Sequence, residues 1–171
     1  NFITQLMDSL HAKGATEYVS QFQQLNTVSF DTLTSTSALL KFTFAEGNAI
    51  LYKKEFSLLG SDSLMFNSLL PFSNLGVPYV SERTIQQVTL KRTYGRVWQI
   101  NNTHFEISGF NTDQSVQCKS YLQAHFPDNT TQILIGDLNT SPGQTSYENL
   151  VTADGLIDLW TESMTPGPHY T

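Results

Sequence analysis

The segment that most constrains the fold of this chain is an apolar run that ends in two polar side chains. Residues 133–135 read Ile-Leu-Ile, which is typical of a buried central strand, and Gly136 separates them from Asp137 and Asn139. Because side chains alternate along an extended chain, we expect Asp137 and Asn139 to point to one side. A carboxylate and a carboxamide placed in this way can hold a water or a hard metal ion and contact a phosphate. The alternative explanation is a strand that ends in an Asx turn.

A second predicted strand, 96–101, also leads into polar side chains, here Asn102 and His104. A turn that contains glycine joins it to the preceding predicted strand, 84–90. We take Asn102 and His104 as candidate site residues because they follow their strand as Asp137 follows its own. A lone histidine is, however, more often a surface or core residue than a functional one.

The N-terminal region predicts a helix, a strand and a loop. Apolar residues recur at helical spacing over 2–12, which indicates an amphipathic helix. Strand-like residues follow around Tyr18–Phe22. The region 26–36 is rich in Thr and Ser, and we expect it to be a loop.

The next part of the chain predicts two strands and an irregular insertion. The strands are 38–44 and 48–52, with a turn at Gly47 between them. Residues 57–80 are broken by glycine and proline, so we expect a long irregular insertion with one short helix. Its apolar part, 64–80, is either a lipid-contacting segment or a packed loop, and the apolar residues are Leu64, Met65, Phe66, Leu69, Leu70 and Phe72.

Two helices are predicted in the last third of the chain. Asp113 can cap a helix over 114–126, which Pro127 ends. Its apolar positions are Val116, Cys118, Tyr121, Leu122 and Phe126. A second helix is expected over Gln144–Thr152, with Tyr147, Leu150 and Val151 facing inward. Mixed helices and strands, with hairpins and a strand–helix–strand passage, indicate an α/β or α+β sheet protein.

The combination of these segments resembles the endonuclease/exonuclease/phosphatase superfamily, whose members have the DNase I-like fold. Asn-Thr-His ends the strand before the first of these helices, and Gly-Asp-Leu-Asn at 136–139 ends the strand after it. Residues 47–51 resemble the family's Gly-x-Ala-Ile-Leu strand, and Arg83 matches a frequent family arginine. The stretch 155–160 resembles the one that follows the family's Gly-Asp-Phe-Asn motif, here with Leu138 in place of Phe.

The resemblance implies a two-sheet sandwich flanked by helices, formed by residues 1–171 as one partial domain. The family's metal-binding Glu, from a Gln-Glu motif, would lie before Asn1. A later Asp and a final Ser-Asp-His would lie beyond Thr171. We therefore expect this chain to be a middle portion of the domain that lacks its N- and C-terminal parts.

The resemblance also implies roles for the candidate residues, with Mg²⁺ or another divalent cation as the cofactor. Asp137 and Asn139 would hold the metal; Asp137 would also orient the nucleophile, and Asn139 would hold the phosphate or its oxyanion. His104 would donate a hydrogen bond to the phosphate. Arg83 and Asn102 are candidate substrate-binding residues, although Arg83 is equally explained as a charge at a strand end.

The expected function is metal-dependent phosphodiester hydrolysis of the sphingomyelinase type. The stretch 136–143, Tyr147 and the stretch 155–160 look closest to those members. We expect Asp158 of this chain to be structural or to support a neighbouring site residue. The alternatives are a secreted DNase-like endonuclease and a non-catalytic binding or structural module that retains the fold, since fold does not fix function.

The composition favours a lipid headgroup over nucleic acid as the phosphodiester partner. The chain has 9 Lys and Arg against 15 Asp and Glu, a net charge of -6, and no basic run. Only 14% of its residues are charged, which is common in secreted proteins, so we expect an extracellular protein, with a cytoplasmic one as the alternative. No apolar run approaches the length of a membrane span, so no transmembrane segment is expected.

The remaining sequence features are three glycosylation sequons and one cysteine. Asn129 lies in a polar turn that could carry a glycan, whereas Asn101 and Asn139 fall in candidate site segments and are expected to be bare. Cys118 is expected to be a small buried hydrophobic residue, and no intrachain disulfide is possible.

Overall fold

The chain forms a mixed sheet with two helices packed on one face and a long β-ribbon on the other. The structure, a computed structural model, describes residues 2–33, 39–68, 70–74, 77–107, 109–126, 130–151 and 155–163. In chain order the described elements are α1 Phe2–Ala12, β1 Tyr18–Leu33, β2 Leu39–Lys53, β3 Phe56–Met65, β4 Leu70–Asn74, β5 Val77–Ser81, β6 Thr84–Arg92, β7 Val97–His104, α2 Phe110–Ala124, β8 Thr130–Asp137, α3 Thr145–Val151 and α4 Leu159–Glu162.

The central sheet has the strand order β3-β6-β7-β8 among the described residues. β6 pairs antiparallel with β3 and with β7, whereas β7 and β8 are parallel. Parallel neighbours need a crossover connection, and α2 provides it. The register places His104 opposite Asp137, so the carboxyl ends of β7 and β8 lie side by side. The predicted mixture of helices and strands is confirmed.

One apolar cluster packs on each face of the central sheet. On the helical face, Phe66 and Phe105 meet edge to face at 5.6 Å, close to Ile85 of β6. On the other face, Val88 of β6 packs with Ile50 of β2. Complete burial of one such side chain contributes about 1.5–3 kcal/mol. β6 is therefore buried on both faces, which gives β7, its neighbour in the sheet, a fixed support.

The long β1–β2 ribbon contradicts two predictions from the sequence. The expected loop 26–36 is strand as far as Leu33, with a bulge between Gln24 and Thr27, and 34–36 lie outside the described residues. The expected turn at Gly47 lies inside one continuous strand, β2. A Cβ on Gly47 would overlap the carbonyl oxygen of Gln23, so this glycine permits close approach of two strands rather than a turn.

The expected irregular insertion, 57–80, is also wrong over its described residues. It contains β3 and the β4–β5 hairpin, and the described part of it contains no helix. The side chains of β3 are mostly exposed along an edge strand, so the apolar alternation that signals a strand is missing. Phe66 is fully buried and Leu64 packs against the core, which identifies these two as core residues rather than lipid contacts.

The predicted helices are confirmed, with corrections to their ends. α1 and α3 match the expected 2–12 and Gln144–Thr152 closely. α2 begins at Phe110, so Asp113 lies in its first turn rather than at its cap. Of the apolar positions of α2, Cys118, Tyr121 and Leu122 are buried, whereas Val116 and Phe126 are exposed. Pro127 and Thr152 lie outside the described residues.

β8 differs from the prediction of a central, fully buried strand. It is flanked by β7 as expected, but it lies at the edge of the sheet in the described part of the chain. Ile135 is exposed, and Leu134 is only partly buried against the helical core. An apolar run therefore identified the strand correctly but not its burial. In the described ranges, no helix is long and apolar enough to cross a membrane.

Candidate active site

The candidate site lies where β7 and β8 end. His104 Nε2 lies 3.8 Å from Asp137 Oδ2, and both side chains are about half exposed. The Phe105 amide donates to the Asp137 carbonyl at 2.9 Å, which holds the two strand ends together. Gly136 makes this approach possible, because its φ is +130° and a Cβ would overlap the carbonyl oxygen of Thr103. Backbone pairing thus places an imidazole and a carboxylate side by side.

Arg83, the residue immediately before β6, also contacts His104. Its Nη1 lies 2.9 Å from His104 Nδ1, and its Nε donates to Glu106 Oε2 at 3.1 Å. Arg83 thus contacts the imidazole on the side away from Asp137. The charge predicted at this strand end belongs to the site, but its described contacts are to protein groups.

The surroundings of His104 lower the pKa of its imidazole. Burial lowers this pKa below the usual 6.5, and the positive charge of Arg83 lowers it further. The carboxylates of Asp137, Glu106 and Glu46 act in the opposite direction without outweighing these two effects. These surroundings therefore favour the neutral form of the His104 ring.

Glu106 is a buried carboxylate that the sequence analysis did not identify. Burial by itself would raise its pKa, but hydrogen bonds from the Ile107 amide, Ser81 and Arg83, together with the Arg83 charge, bring the pKa below 4.5. The Glu106 amide donates to the Gln114 side chain at 2.7 Å. Glu106 follows His104 by two residues, and this spacing is the one local signal that could have indicated it.

Asn139 lies at the site, although not in the way predicted. β8 ends at Asp137 and Asn139 has a φ of +44°, so the expected extended alternation is wrong. The Asn139 amide donates to Asp137 Oδ1 at 3.1 Å, which is the Asx turn offered as the alternative. Its Nδ2 donates to the Phe105 carbonyl at 2.7 Å. Asn139 is therefore anchored next to His104, and the structure brings His104, Asp137 and Asn139 together.

Asn102 makes a different contact from the one expected of a substrate-binding residue. Its Nδ2 donates to the carbonyl of Ala49 at 3.2 Å, which links β7 to β2. This hydrogen bond ties the ribbon to the central sheet. A role for Asn102 in substrate binding stays a prediction.

A cleft of about 140 Å³ opens beside His104 and Arg83. Asn48 lines it and donates to the Thr84 carbonyl at 3.2 Å, which fixes β2 against the start of β6. Glu46 also lines the cleft and was not among the predicted site residues. A ligand in this cleft would therefore meet a histidine, an arginine and a carboxylate.

The oxygen donors near His104 suit a loosely held hard cation. Among the residues that the structure describes, no group of three or more His, Cys, Asp or Glu could hold a metal ion. Asp137 offers a carboxylate and Asn139 a carboxamide. Mg²⁺ usually binds through one or two carboxylates and keeps waters and substrate oxygens as its other ligands. These two residues fit such an ion, but not a cation enclosed entirely by protein.

Asp158 is structural, as expected. Its Oδ1 accepts from the Trp160 amide at 2.8 Å at the start of α4, and its Oδ2 accepts from the Tyr147 hydroxyl at 2.8 Å. Burial raises the pKa of Tyr147 to about 12, and the bond to Asp158 adds to this effect. Both carboxylate oxygens thus hold the segment after α3 in place.

Asn101 and Cys118 are buried, and Asn139 is partly buried. Asn101 is fully buried and donates to the Ile133 carbonyl at 3.1 Å, and the side chain of Asn139 is bonded as described above. Asn129 lies outside the described residues. Cys118 is fully buried, and burial raises the pKa of its thiol to about 12, so it is the neutral core residue expected.

Comparison with known proteins finds similarity in structure only. No family model matches the sequence, and no curated protein matches it. Among solved structures, an endonuclease/exonuclease/phosphatase family protein from Bacteroides thetaiotaomicron matches with a TM-score of 0.55 and 17% identity, over 88% of this chain and 51% of that one. The human Nocturnin catalytic domain with a bound sulfate anion has a TM-score of 0.52 and 17% identity, over 84% and 50%.

A third similar structure is Danio rerio (D. rerio) TDP2 complexed with a single-strand DNA product. It matches with a TM-score of 0.50 and 16% identity, over 94% of this chain and 62% of that one. The chain thus spans between 50% and 62% of the length of these three proteins. At these identities the likeness concerns the fold, and this chain has the mixed α/β fold of the endonuclease/exonuclease/phosphatase structures over part of their length.

Proposed function

We propose that the whole protein is a divalent-metal-dependent phosphodiester hydrolase whose reaction takes place where β7 and β8 end. The observation that carries this proposal is the contact of His104 with Asp137 at 3.8 Å beside the cleft. The two residues come from separate predicted motifs and meet only because their strands are parallel and in register. The shared fold supports the same class of reaction.

The residues of the site can perform the steps of hydrolysis. Asp137 orients a water and accepts its proton as the water oxygen attacks phosphorus. The bond from phosphorus to the leaving oxygen breaks, and that oxygen takes a proton from solvent water. His104 donates from Nε2 to a non-bridging phosphate oxygen, where negative charge increases. Asn139 holds the Asp137 carboxylate through its amide. Asp137 and Asn139 would hold a divalent cation, which would supply positive charge next to the phosphate.

We propose a lipid headgroup phosphodiester of the sphingomyelin type as the substrate. Support comes from the motif stretches 136–143 and 155–160 and from the net charge of -6, which disfavours a polyanion. The apolar residues 64 and 66 add no support, because they are part of the core.

DNA is the second candidate substrate. The observation in its favour is that D. rerio TDP2, which has a similar structure, was solved with a single-strand DNA product. A few cations in a cleft can suffice for a short strand, and Arg83 lines the cleft here. A third possibility is a module that keeps the fold without catalysis.

Hydrolysis of sphingomyelin and of plasmid DNA by the intact protein, with Mg²⁺ and with EDTA, tests these alternatives. We expect Mg²⁺-dependent cleavage, faster on sphingomyelin, and a loss of about 10–100-fold or more in Asp137→Ala. Asp62→Ala is the matched control, because Asp62 also faces a histidine, His125, at 3.6 Å.

Each other outcome of this experiment has a definite meaning. Activity that survives both EDTA and Asp137→Ala rejects the mechanism. Cleavage of DNA alone keeps the reaction class and overturns the lipid substrate. An intact protein that cleaves neither substrate favours the non-catalytic module.

A further inference from the structure

We infer that Arg83 and Glu106 are positioning residues that hold the His104 ring with its proton on Nε2, the nitrogen that faces Asp137. The tautomer follows from the contacts among these three side chains. The effect of the tautomer on catalysis rests on the proposed function. Arg83 is thereby assigned a role other than the direct phosphate contact expected from the sequence.

The direction of one hydrogen bond determines the tautomer. Arg83 Nη1 lies 2.9 Å from His104 Nδ1. A guanidinium group has donors only, so Nδ1 must present its lone pair. A neutral imidazole carries its single proton on the other nitrogen, here Nε2, which lies 3.8 Å from Asp137 Oδ2. A ring held in this way donates at Nε2 without carrying a positive charge.

Arg83 is itself held in one orientation by Glu106. The Nε of Arg83 donates to Glu106 Oε2 at 3.1 Å, and the two side chains are only 14% and 3% exposed. Glu106 Oε1 accepts from the Ile107 amide at 3.1 Å, and the Glu106 amide donates to Gln114 at 2.7 Å. Glu106 is therefore fixed from its backbone and its side chain, and it fixes the plane of the guanidinium in turn.

The geometry requires arginine in particular. One guanidinium bridges an acceptor on Glu106 and an acceptor on His104 through different nitrogens of a rigid planar group. A lysine ammonium is a point charge on a flexible chain and cannot reproduce this planar bridge. Both described contacts of Arg83 are to protein groups, and we assign the hydrogen bond to the phosphate to His104 Nε2.

Nitrogen-15 NMR of histidine-labelled intact protein at pH 9 tests the hydrogen bond directly. The His104 signals are assigned by their loss in His104→Gln. We expect Nε2 to carry the proton and Nδ1 to have the shift of an unprotonated nitrogen that accepts a hydrogen bond. In Arg83→Lys and Arg83→Met, Nδ1 should move to the shift of a nitrogen without such a bond. The matched control is Arg92→Met, which removes an exposed arginine paired with Glu55 at 3.2 Å.

The double variant Arg83→Met/Glu106→Gln separates positioning from stability. Arg83→Met alone leaves a buried carboxylate without its cation, and it can unfold for that reason. Replacing Glu106 by Gln removes the uncompensated charge, so the double variant should recover thermal stability. We expect its Nδ1 signal to stay shifted and its kcat to stay about 10–100-fold below wild type, with KM little changed.

Four results would overturn the inference. These are a proton on His104 Nδ1 in the wild type, an unchanged Nδ1 signal in the double variant, recovery of kcat in the double variant, and a raised KM with unchanged kcat in Arg83→Lys. The last result would show that Arg83 binds substrate directly. If the wild type hydrolyses no phosphodiester, the proposed function fails, while the spectra still decide whether Arg83 and Glu106 set the tautomer.

Discussion

Two histidine–aspartate pairs in this protein have nearly the same geometry and different surroundings. His104 Nε2 lies 3.8 Å from Asp137, with side chains that are 44% and 47% exposed. His125 Nε2 lies 3.6 Å from Asp62, with side chains that are 41% and 53% exposed. Distance and exposure therefore do not distinguish the two pairs.

The second ring nitrogen distinguishes them. His125 Nδ1 donates to the Tyr121 carbonyl at 2.8 Å, and its ring stacks on Tyr121 with centroids 4.2 Å apart. His104 Nδ1 instead accepts from Arg83 at 2.9 Å and lies at the cleft. Nδ1 is thus a hydrogen-bond donor in His125 and a hydrogen-bond acceptor in His104. The partner of the Nδ1 nitrogen, rather than the aspartate near Nε2, therefore distinguishes the candidate active site from the second pair.

Loss of the arginine behind His104 should produce the largest change in stability. Arg83→Met leaves Glu106 buried without its cation, and we expect unfolding to become easier by about 3–5 kcal/mol. Arg92→Met, at the other end of β6, removes an exposed pair and should cost less than about 1 kcal/mol. Urea denaturation of both variants measures the difference, and equal losses would contradict the burial argument.

At acidic pH the Arg83–Glu106 pair should contribute less to the free energy of unfolding. Folding lowers the pKa of Glu106, so its contribution is fully present above its unfolded pKa of about 4.3 and is lost as the pH falls through the folded pKa. Glu106→Gln should therefore destabilise the protein by about 1.5–3 kcal/mol at pH 7. The difference from wild type should stay constant down to about pH 5.5 and shrink below about pH 4. If the stability difference between wild type and Glu106→Gln grew on acidification, the lowered pKa of Glu106 would be contradicted.

The smallest effect is expected on the other histidine pair. Tyr121→Phe removes the hydrogen bond from the tyrosine hydroxyl to Asp62 at 3.1 Å. Burial and the charge of Asp62 raise the pKa of Tyr121, so this hydroxyl keeps its proton and donates. We expect a loss of about 0.5–1.5 kcal/mol in unfolding free energy and no change in hydrolysis. A fall in kcat/KM without a fall in stability would mean that both pairs serve the reaction.

The residues that end strands were predictable from the sequence, because the signal is local. An apolar or alternating run followed by polar residues identified the positions of His104 and Asp137. Their meeting followed from a strand–helix–strand passage, which makes neighbouring strands parallel. Glu106 offered only its two-residue spacing from His104, since its importance comes from a buried ion pair with Arg83, which lies 23 residues earlier in the chain.

Other errors arose where one residue type has two explanations. Glycine marks both turns and close approaches of backbone, and only the neighbouring Phe22 and Gln23 show that Gly47 is the second kind. The side chains of β3 are mostly exposed, so this strand has no apolar pattern. Its backbone pairing with β6 holds it as a strand. Such features depend on long-range contacts that composition and spacing do not contain.

The measurement that tests the central claim most directly is Mg²⁺-dependent hydrolysis by His104→Ala and by His125→Ala. Each variant is made in the intact protein and assayed on the phosphodiester that the wild type cleaves fastest. We predict that His104→Ala lowers kcat by about 10²–10³-fold, since it removes a donor to the phosphate, whereas His125→Ala leaves kcat unchanged. Equal losses in the two variants, or a larger loss in His125→Ala, would contradict the assignment of the active site to the ends of β7 and β8.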